Sequence, residues 1–244
     1  MIYSRKHSFI SGIVIKKIKY KDYHEIINVF TENGKIESFF YKNFYKDNKK
    51  ININIPVFIN IFFYNNIGLK KIFKLEPIKH YNDINYDINK YIYIENIIEL
   101  IFYFKNSNKE MYILFCNILN DVNQNKINPI LASIFFILQF LKKDNFTFKY
   151  KKTKNFYIGY SFIHNMFLDQ KNDSLSFYEI NDKLVKYIYL IFTSEYNTIK
   201  NIKLNNNELL IIYKFINIIL LEYSGINLKS YKKILELENF LKSI

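Results

Sequence analysis

The stretch VFTENGKIESFFYK, residues 29–42, sets an Asn-Gly pair between two apolar runs and then leads an aromatic cluster into lysine. Asn33-Gly34 is a strong hairpin signal, because both residue types tolerate the positive φ that a tight turn demands. On its far side Ile36, Phe39, Phe40 and Tyr41 lie between Lys35 and Lys42. Aromatic side chains beside cations on a strand suit two roles. They form a stacking platform for nucleic-acid bases, or half the core of a small barrel. By the two-residue period of a strand, Phe39 and Tyr41 share one face and Phe40 takes the other. Both faces cannot be core, so one set is left to stack or to meet another part of the chain.

Working outward, residues 1–80 hold three of the five glycines (Gly12, Gly34, Gly68) and two of the three prolines (Pro56, Pro77). Short β-rich runs lie between these breaks, and strands are expected near 8–20, 24–31, 35–42, 55–64 and 69–77. Polar turns at Lys21-Asp22-Tyr23 and Asn65-Asn66-Ile67-Gly68 join two pairs of them. Five short strands suit a small closed barrel, since closure removes the exposed edges of so small a sheet. After Pro77 a polar connector, KHYNDINYDINK, leads into helical periodicity near 91–105, 108–122, 128–143, 181–193, 206–223 and 229–241. Asn128 and Pro129 give the third of these its cap and first position. Its sequence, NPILASIFFILQFLKK, is apolar almost all round and predicts a buried central helix. Gly225 is placed to cap the helix that ends before it. The segment 145–180 reads as a loop or hairpin between helices. The expected class is α+β, with a β-barrel domain over 1–80 and an all-α helical domain over 81–244.

Charge is unevenly spread along this layout. The net charge is +13, with 15 Lys+Arg against 6 Asp+Glu in residues 1–80 and 20 against 16 in the remainder. Phe, Tyr, Asn, Ile and Lys share AT-rich codons, so codon bias accounts for part of the lysine excess. The skew toward the first third still points to an anionic partner there, nucleic acid first among them. Lys16, Lys17, Lys19 and Lys21 run along the first strand and into its turn. Unbroken alternation puts Lys17, Lys19 and Lys21 on one face, opposite Val14, Lys16, Ile18 and Tyr20. Lys46, Lys49 and Lys50 form a basic loop, and Lys70 and Lys71 follow Gly68. With Lys35, Lys42, Phe39 and Tyr41 these lysines make up the candidate DNA-binding set; a solvated outer face and a packed core are the alternatives.

Little else carries chemistry. His7, His24, His80 and His164 are scattered, with no partner at a metal-ligand spacing. Glu25 is expected to serve as a hydrogen-bond or ion-pair partner near the hairpin. Cys116 is the single cysteine, which excludes a disulfide framework and a thiolate zinc cluster; it is expected to be a small buried apolar group. There is no glycine-rich phosphate loop. No catalytic residue, metal or cofactor is therefore expected. The N-terminal residues lack a signal-peptide core, and no apolar run approaches the ~18 residues of a spanning helix, so a cytoplasmic location is expected.

The order of these features resembles the RecO family of bacterial recombination mediators. The matching residues are Gly12 to Lys17, Tyr23 and Glu25, Phe30-Thr31, and Gly34-Lys35. Of the family's Ala-Lys-Gly element only Lys42 is kept, in Tyr41-Lys42-Asn43. GLKKIFKLEPIKHY resembles the strand that closes the family's barrel, and SIFFILQFLKKDNF its central helix, with Asn145 where the family has glycine. Leu228-Lys229-Ser230 and Lys232 resemble the signature of its terminal helices. The four-cysteine zinc site of many members is absent, so packing must hold 145–180. The resemblance implies an oligonucleotide-binding (OB) fold barrel and a DNA repair and recombination role. It implies binding of single- and double-stranded DNA, strand annealing, and association with the nucleoid. It also implies contact with RecR and with the acidic C-terminal tail of the single-stranded-DNA-binding protein, to load RecA. Lys142 and Lys143, at the end of the central helix, are candidate rim charges for that tail; a favourable place at a helix C-terminus is the other reading. A protein–protein adaptor that binds nucleic acid weakly is the competing function.

Overall fold

The computed structural model describes residues 7–42, 53–65, 68–150, 155–170 and 177–242. The chain divides into two compact units, Met1–Tyr91 with Ile101–Gln124, and Ile92–Leu100 with Asn125–Ile244. Its β-rich N-terminal region is followed by helices, as the sequence predicts.

Five strands build the first unit: β1 (His7–Tyr20), β2 (His24–Thr31), β3 (Ile36–Tyr41), β4 (Val57–Tyr64) and β5 (Lys70–His80). They pair in the order β1-β2-β3-β5-β4, and β4 returns to β1, so the sheet closes on itself. β1 makes closure possible by its length: His7–Val14 pairs with β4, and Gly12–Tyr20 pairs with β2. Every pairing is antiparallel except β3 with β5, which run parallel through Phe39–Tyr41 and Lys70–Ile72. The interior is apolar. Val14, Ile27, Val29, Phe39, Ile59, Ile61 and Phe63 belong to one buried cluster, with Phe39 and Phe63 edge to face at 5.0 Å. Tyr41 packs against it.

The β2–β3 turn differs from the two-residue form. Thr31 N–H donates to Lys35 O at 2.9 Å and Gly34 N–H to Thr31 O at 2.8 Å. Gly34 alone takes the left-handed conformation, at φ 71°. This is a three-residue loop closed by a glycine bulge, and it brings the turn against α3 (Lys109–Asn123). Asn108 N–H donates to Gly34 O at 2.9 Å. A Cβ on Gly34 would lie 2.2 Å from the Asn108 carbonyl carbon, so glycine is required here for space as well as for φ. Asn108 also caps α3, its side chain accepting from Met111 N at 3.1 Å. The polar connector holds a short helix that alternation gave no sign of, α1 (Asn82–Tyr86), and α2 (Ile88–Ile101) follows.

In the second unit α4 (Pro129–Lys143) is the buried central helix. Asn128 caps it, accepting from Ile130 N at 2.9 Å, with Pro129 in the first turn. α5 (Asp182–Thr193), α6 (Tyr196–Ile199), α7 (Asn206–Ser224) and α8 (Lys229–Lys242) complete the helices. Gly225 ends α7 at φ 68°. This unit is not all-α, which corrects the sequence reading: β6 (Gly159–Ser161), β7 (Met166–Leu168) and β8 (Phe177–Glu179) form a small sheet in the order β7-β6-β8. Strands of three residues are too short to show alternation. Aromatic packing holds them, with Phe148 stacked on Phe167 at 5.4 Å and Tyr160 edge-on to Phe215 at 5.3 Å.

The cap of α8 comes from far away in the chain. The Glu99 carboxylate accepts from Lys229 N and Ser230 N, both at 2.8 Å, and from Ser230 Oγ at 2.6 Å. Ser230 Oγ accepts from Asn96 Nδ2 at 3.1 Å, and Ser133 Oγ donates to Asn96 Oδ1 at 3.0 Å. An acid at a helix N-terminus satisfies orphan donors and opposes the dipole. Among the described residues no helix is long and apolar enough to cross a membrane.

Candidate nucleic-acid interface

Strand register decides which side chains leave the closed sheet. Val14 pairs with core residue Val29, but the next partners are Lys16 and Asn28, so Ile15 is an extra residue in β1. A bulge of this kind reverses the alternation beyond it. Val14 therefore points inward while Lys16, Ile18 and Tyr20 point outward. This corrects the single face expected for those four. Lys17 lies opposite Ile27, and Lys19 opposite Glu25, on the inward-facing side where β1 runs past the core. Lys17 is half-buried, Lys19 is exposed, and Glu25 is buried. Lys21 occupies the turn at φ 56°, exposed, with Nζ 5.6 Å from the Tyr20 ring centroid.

Outward residues on neighbouring strands then line up. Tyr20 pairs with His24, Ile18 with Ile26, Ile26 with Phe40, and Phe40 with Lys71. Directly opposed residues share a face, so these six form one continuous surface over β1, β2, β3 and β5. Tyr20 meets Phe40 edge-on at 5.9 Å, and His24 meets it at 5.2 Å. Ile18 is 40% exposed and Tyr20 44%; Lys16 and Lys71 are exposed. Rings with accessible faces beside unburied ammonium groups can hold stacked bases and their phosphates together.

The same outer face has a closed end. Phe30, opposite Ile36, is fully buried, with Tyr112 at 5.4 Å, Phe104 at 6.0 Å and Phe115 at 6.3 Å. Between the two ends Ser38 Oγ donates to Asn28 Oδ1 at 3.0 Å. Half-buried Cys116 sits on α3 beside Tyr112, and burial pushes its thiol up, keeping it neutral.

The other candidates divide. Phe39 is fully buried in the interior and Tyr41 packs against that core. Full burial leaves Phe39 no face for a base, which corrects its assignment to base stacking, while Tyr41 and Phe40 are both half-buried. Lys70 is ion-paired to Glu37 and lies 5.1 Å from the Phe63 ring centroid, so its charge is committed to the sheet. Lys35 is exposed on the hairpin and, with Lys105, lines a cleft of about 640 Å³ beside Phe30 and Phe104. Lys42 is exposed just past β3. Lys46, Lys49 and Lys50 lie outside the described residues. Lys142 and Lys143 are exposed in the last turn of α4, Lys142 standing 5.7 Å from the Phe192 ring centroid. Sequence reasoning missed Tyr20 and His24. The signal for them was the register running back from the hairpin turn, which the bulge concealed. Among the described residues no three His, Cys, Asp or Glu gather as a metal would need.

No protein-family model matches the sequence, and no curated protein matches it. Among solved structures, the asparaginyl-tRNA synthetase of Entamoeba histolytica is similar over 64% of this chain, at 12% identity and a TM-score of 0.29. The match spans about a third of that protein, 36% of its chain. Similarity at this level carries no argument about fold or function.

Proposed function

We propose that this chain is a non-catalytic DNA-binding mediator of the RecO type, whose β-rich region is an OB-fold barrel. The observation that carries the reading is the outer face of the sheet, where Tyr20, His24 and Phe40 lie with Lys21 and Lys71, and Lys16 stands on the Asn28–Ser38 rung that bounds them with Nζ 5.6 Å from the Phe102 ring centroid. OB-folds bind single strands on the face of their second and third strands, with help from the first turn and the loop between strands four and five. The strand order β1-β2-β3-β5-β4 and the position of this face support that reading. The lysines bind phosphate without regard to sequence, and the rings stack on whichever base arrives. Strand annealing follows if bases are held by stacking, leaving their pairing edges accessible to a complement.

The resemblance carries the rest of the proposal: loading of RecA with RecR, contact with the acidic tail of the single-stranded-DNA-binding protein, and a place at the nucleoid. For the tail, Lys142 and Lys143 at the end of α4 offer two exposed cations. The adaptor reading keeps one observation in its favour. Lys70 and Lys74 are paired with Glu37 and Glu76, so part of the N-terminal charge is spent internally.

Annealing of complementary oligonucleotides coated with the cognate single-stranded-DNA-binding protein tests the proposal. Acceleration by the full chain, with affinity for bare single strands falling steeply in salt, is expected. Weak, salt-insensitive DNA binding without annealing overturns it and favours the adaptor.

A further inference from the structure

A second aromatic face lies on the closed sheet, on the side formed by β5, β4 and the start of β1. We infer that a single strand of nucleic acid leaving the β1–β2–β3 face crosses Lys71 and continues over this second face. The inference rests on the nucleic-acid reading above and extends it to the path of the strand.

The path follows from register. Lys71 is opposite Phe40 on one side and Tyr64 on the other, and Tyr64 is opposite His7. Phe40, Lys71, Tyr64 and His7 are thus neighbours in one row around the outside, with the lysine between the two faces. A bulge enlarges the second face: Phe63 pairs with Ile72 and Phe62 with Lys74, so Phe73 is the extra residue. The bulge turns Phe73 and Lys74 outward in succession. Phe73 then packs 4.7 Å from Tyr64 and 5.2 Å from His7, and Phe9 lies 5.0 Å from Phe62. Phe9 is 53% exposed and Phe73 41%. A polar rung ends the face, where Ser11 Oγ donates to Asn60 Oδ1 at 2.8 Å. The Asn28–Ser38 rung bounds the first face in the same way.

Cations decide between nucleic acid and a protein partner. The centre of a protein–protein interface is depleted of lysine, yet Lys71 stands in the middle of this surface. Lys74 Nζ lies 5.1 Å from the Phe62 ring centroid, although Glu76 shares its charge at 2.5 Å. Alternating rings and ammonium groups match the alternation of base and phosphate. From β2 through β3, β5 and β4 to β1 the row covers four strand spacings, roughly 19 Å. That is a longer footprint than the first face alone provides.

The test is the dependence of affinity on oligonucleotide length, measured by anisotropy of labelled oligo-dT from about 4 to 16 nucleotides with the full chain. Phe73→Ala and Lys71→Ala should weaken binding of the longest oligonucleotides, the ring change by about 5- to 150-fold, while the shortest bind Phe73→Ala as they bind wild type. Phe73→Leu keeps the apolar bulk and loses the ring, and should show the same length-selective loss if packing is intact. Equal affinities of wild type and both Phe73 variants at every length overturn the extended path and leave the first face standing. The same result with self-association lost in sedimentation identifies the surface as a contact between protein chains. Failure of wild type to bind any length overturns this inference together with the reading beneath it.

Discussion

Phe30 and Phe40 leave the closed sheet on the same outer surface, yet one is fully buried and the other half-buried. Phe30 lies under Phe104, Tyr112 and Phe115 with no accessible surface, whereas Phe40 is half-buried and has ring contacts with Tyr20 and His24. Strand alternation is identical for the two. What separates them, among the described residues, is the segment from Phe104 through α3, whose rings pack on Phe30. An aromatic residue's role on such a sheet is therefore set by what the rest of the chain places above it.

The largest effect that would test this contrast is on stability. Phe30→Ala should cost about 3–5 kcal/mol in denaturant unfolding, the usual penalty for an emptied aromatic site, with the folded fraction keeping its affinity for single strands. A cost near zero would mean that the covered end is not core. Phe40→Ala should show the reverse pattern. Single-strand affinity should fall by about 1–3 kcal/mol, the value of one base–aromatic stack, and unfolding should change less than for Phe30→Ala. If the two substitutions lower stability equally, the distinction between the ends fails.

Charge gives smaller, sharper tests. Lys16→Ala with Lys71→Ala should reduce the slope of log affinity against log salt by about 1.4 for a single strand, two phosphate contacts at ~0.7 each. An unchanged slope would remove both lysines from the interface. Lys70→Ala should be the mildest: the slope stays as it was, and stability drops by at most ~1 kcal/mol, because this lysine serves a partly exposed pair with Glu37. A slope change as large as that of Lys71→Ala would show that the ion pair opens to receive phosphate.

Much of the layout was legible because its signals are local. Alternation between glycine and proline breaks placed the five strands, and Asn128-Pro129 and Gly225 placed helix ends through caps that need only neighbouring residues. The site was less legible because it depends on two single-residue bulges. Ile15 and Phe73 each reverse the parity of the strand residues beyond them, and neither position carries a glycine to announce it. Long-range partners were invisible for a different reason. Ser230 belongs to the Leu228-Lys229-Ser230 resemblance, and its work in the structure is to receive Glu99, 131 residues earlier. No window on the sequence brings those two together.

The bond from Asn108 to Gly34 bears on whether this β-rich region could be moved between proteins as a cassette. It joins a turn inside the closed sheet to a helix start that comes after all five strands of that sheet have ended. A fragment cut at residue 80 would carry all five strands and leave behind the lid over Phe30. A piece that keeps this lid must extend to the end of α3, and it then carries away Ile92–Leu100, whose Glu99 caps α8 in the second unit, so no single cut after the strands yields a self-contained cassette.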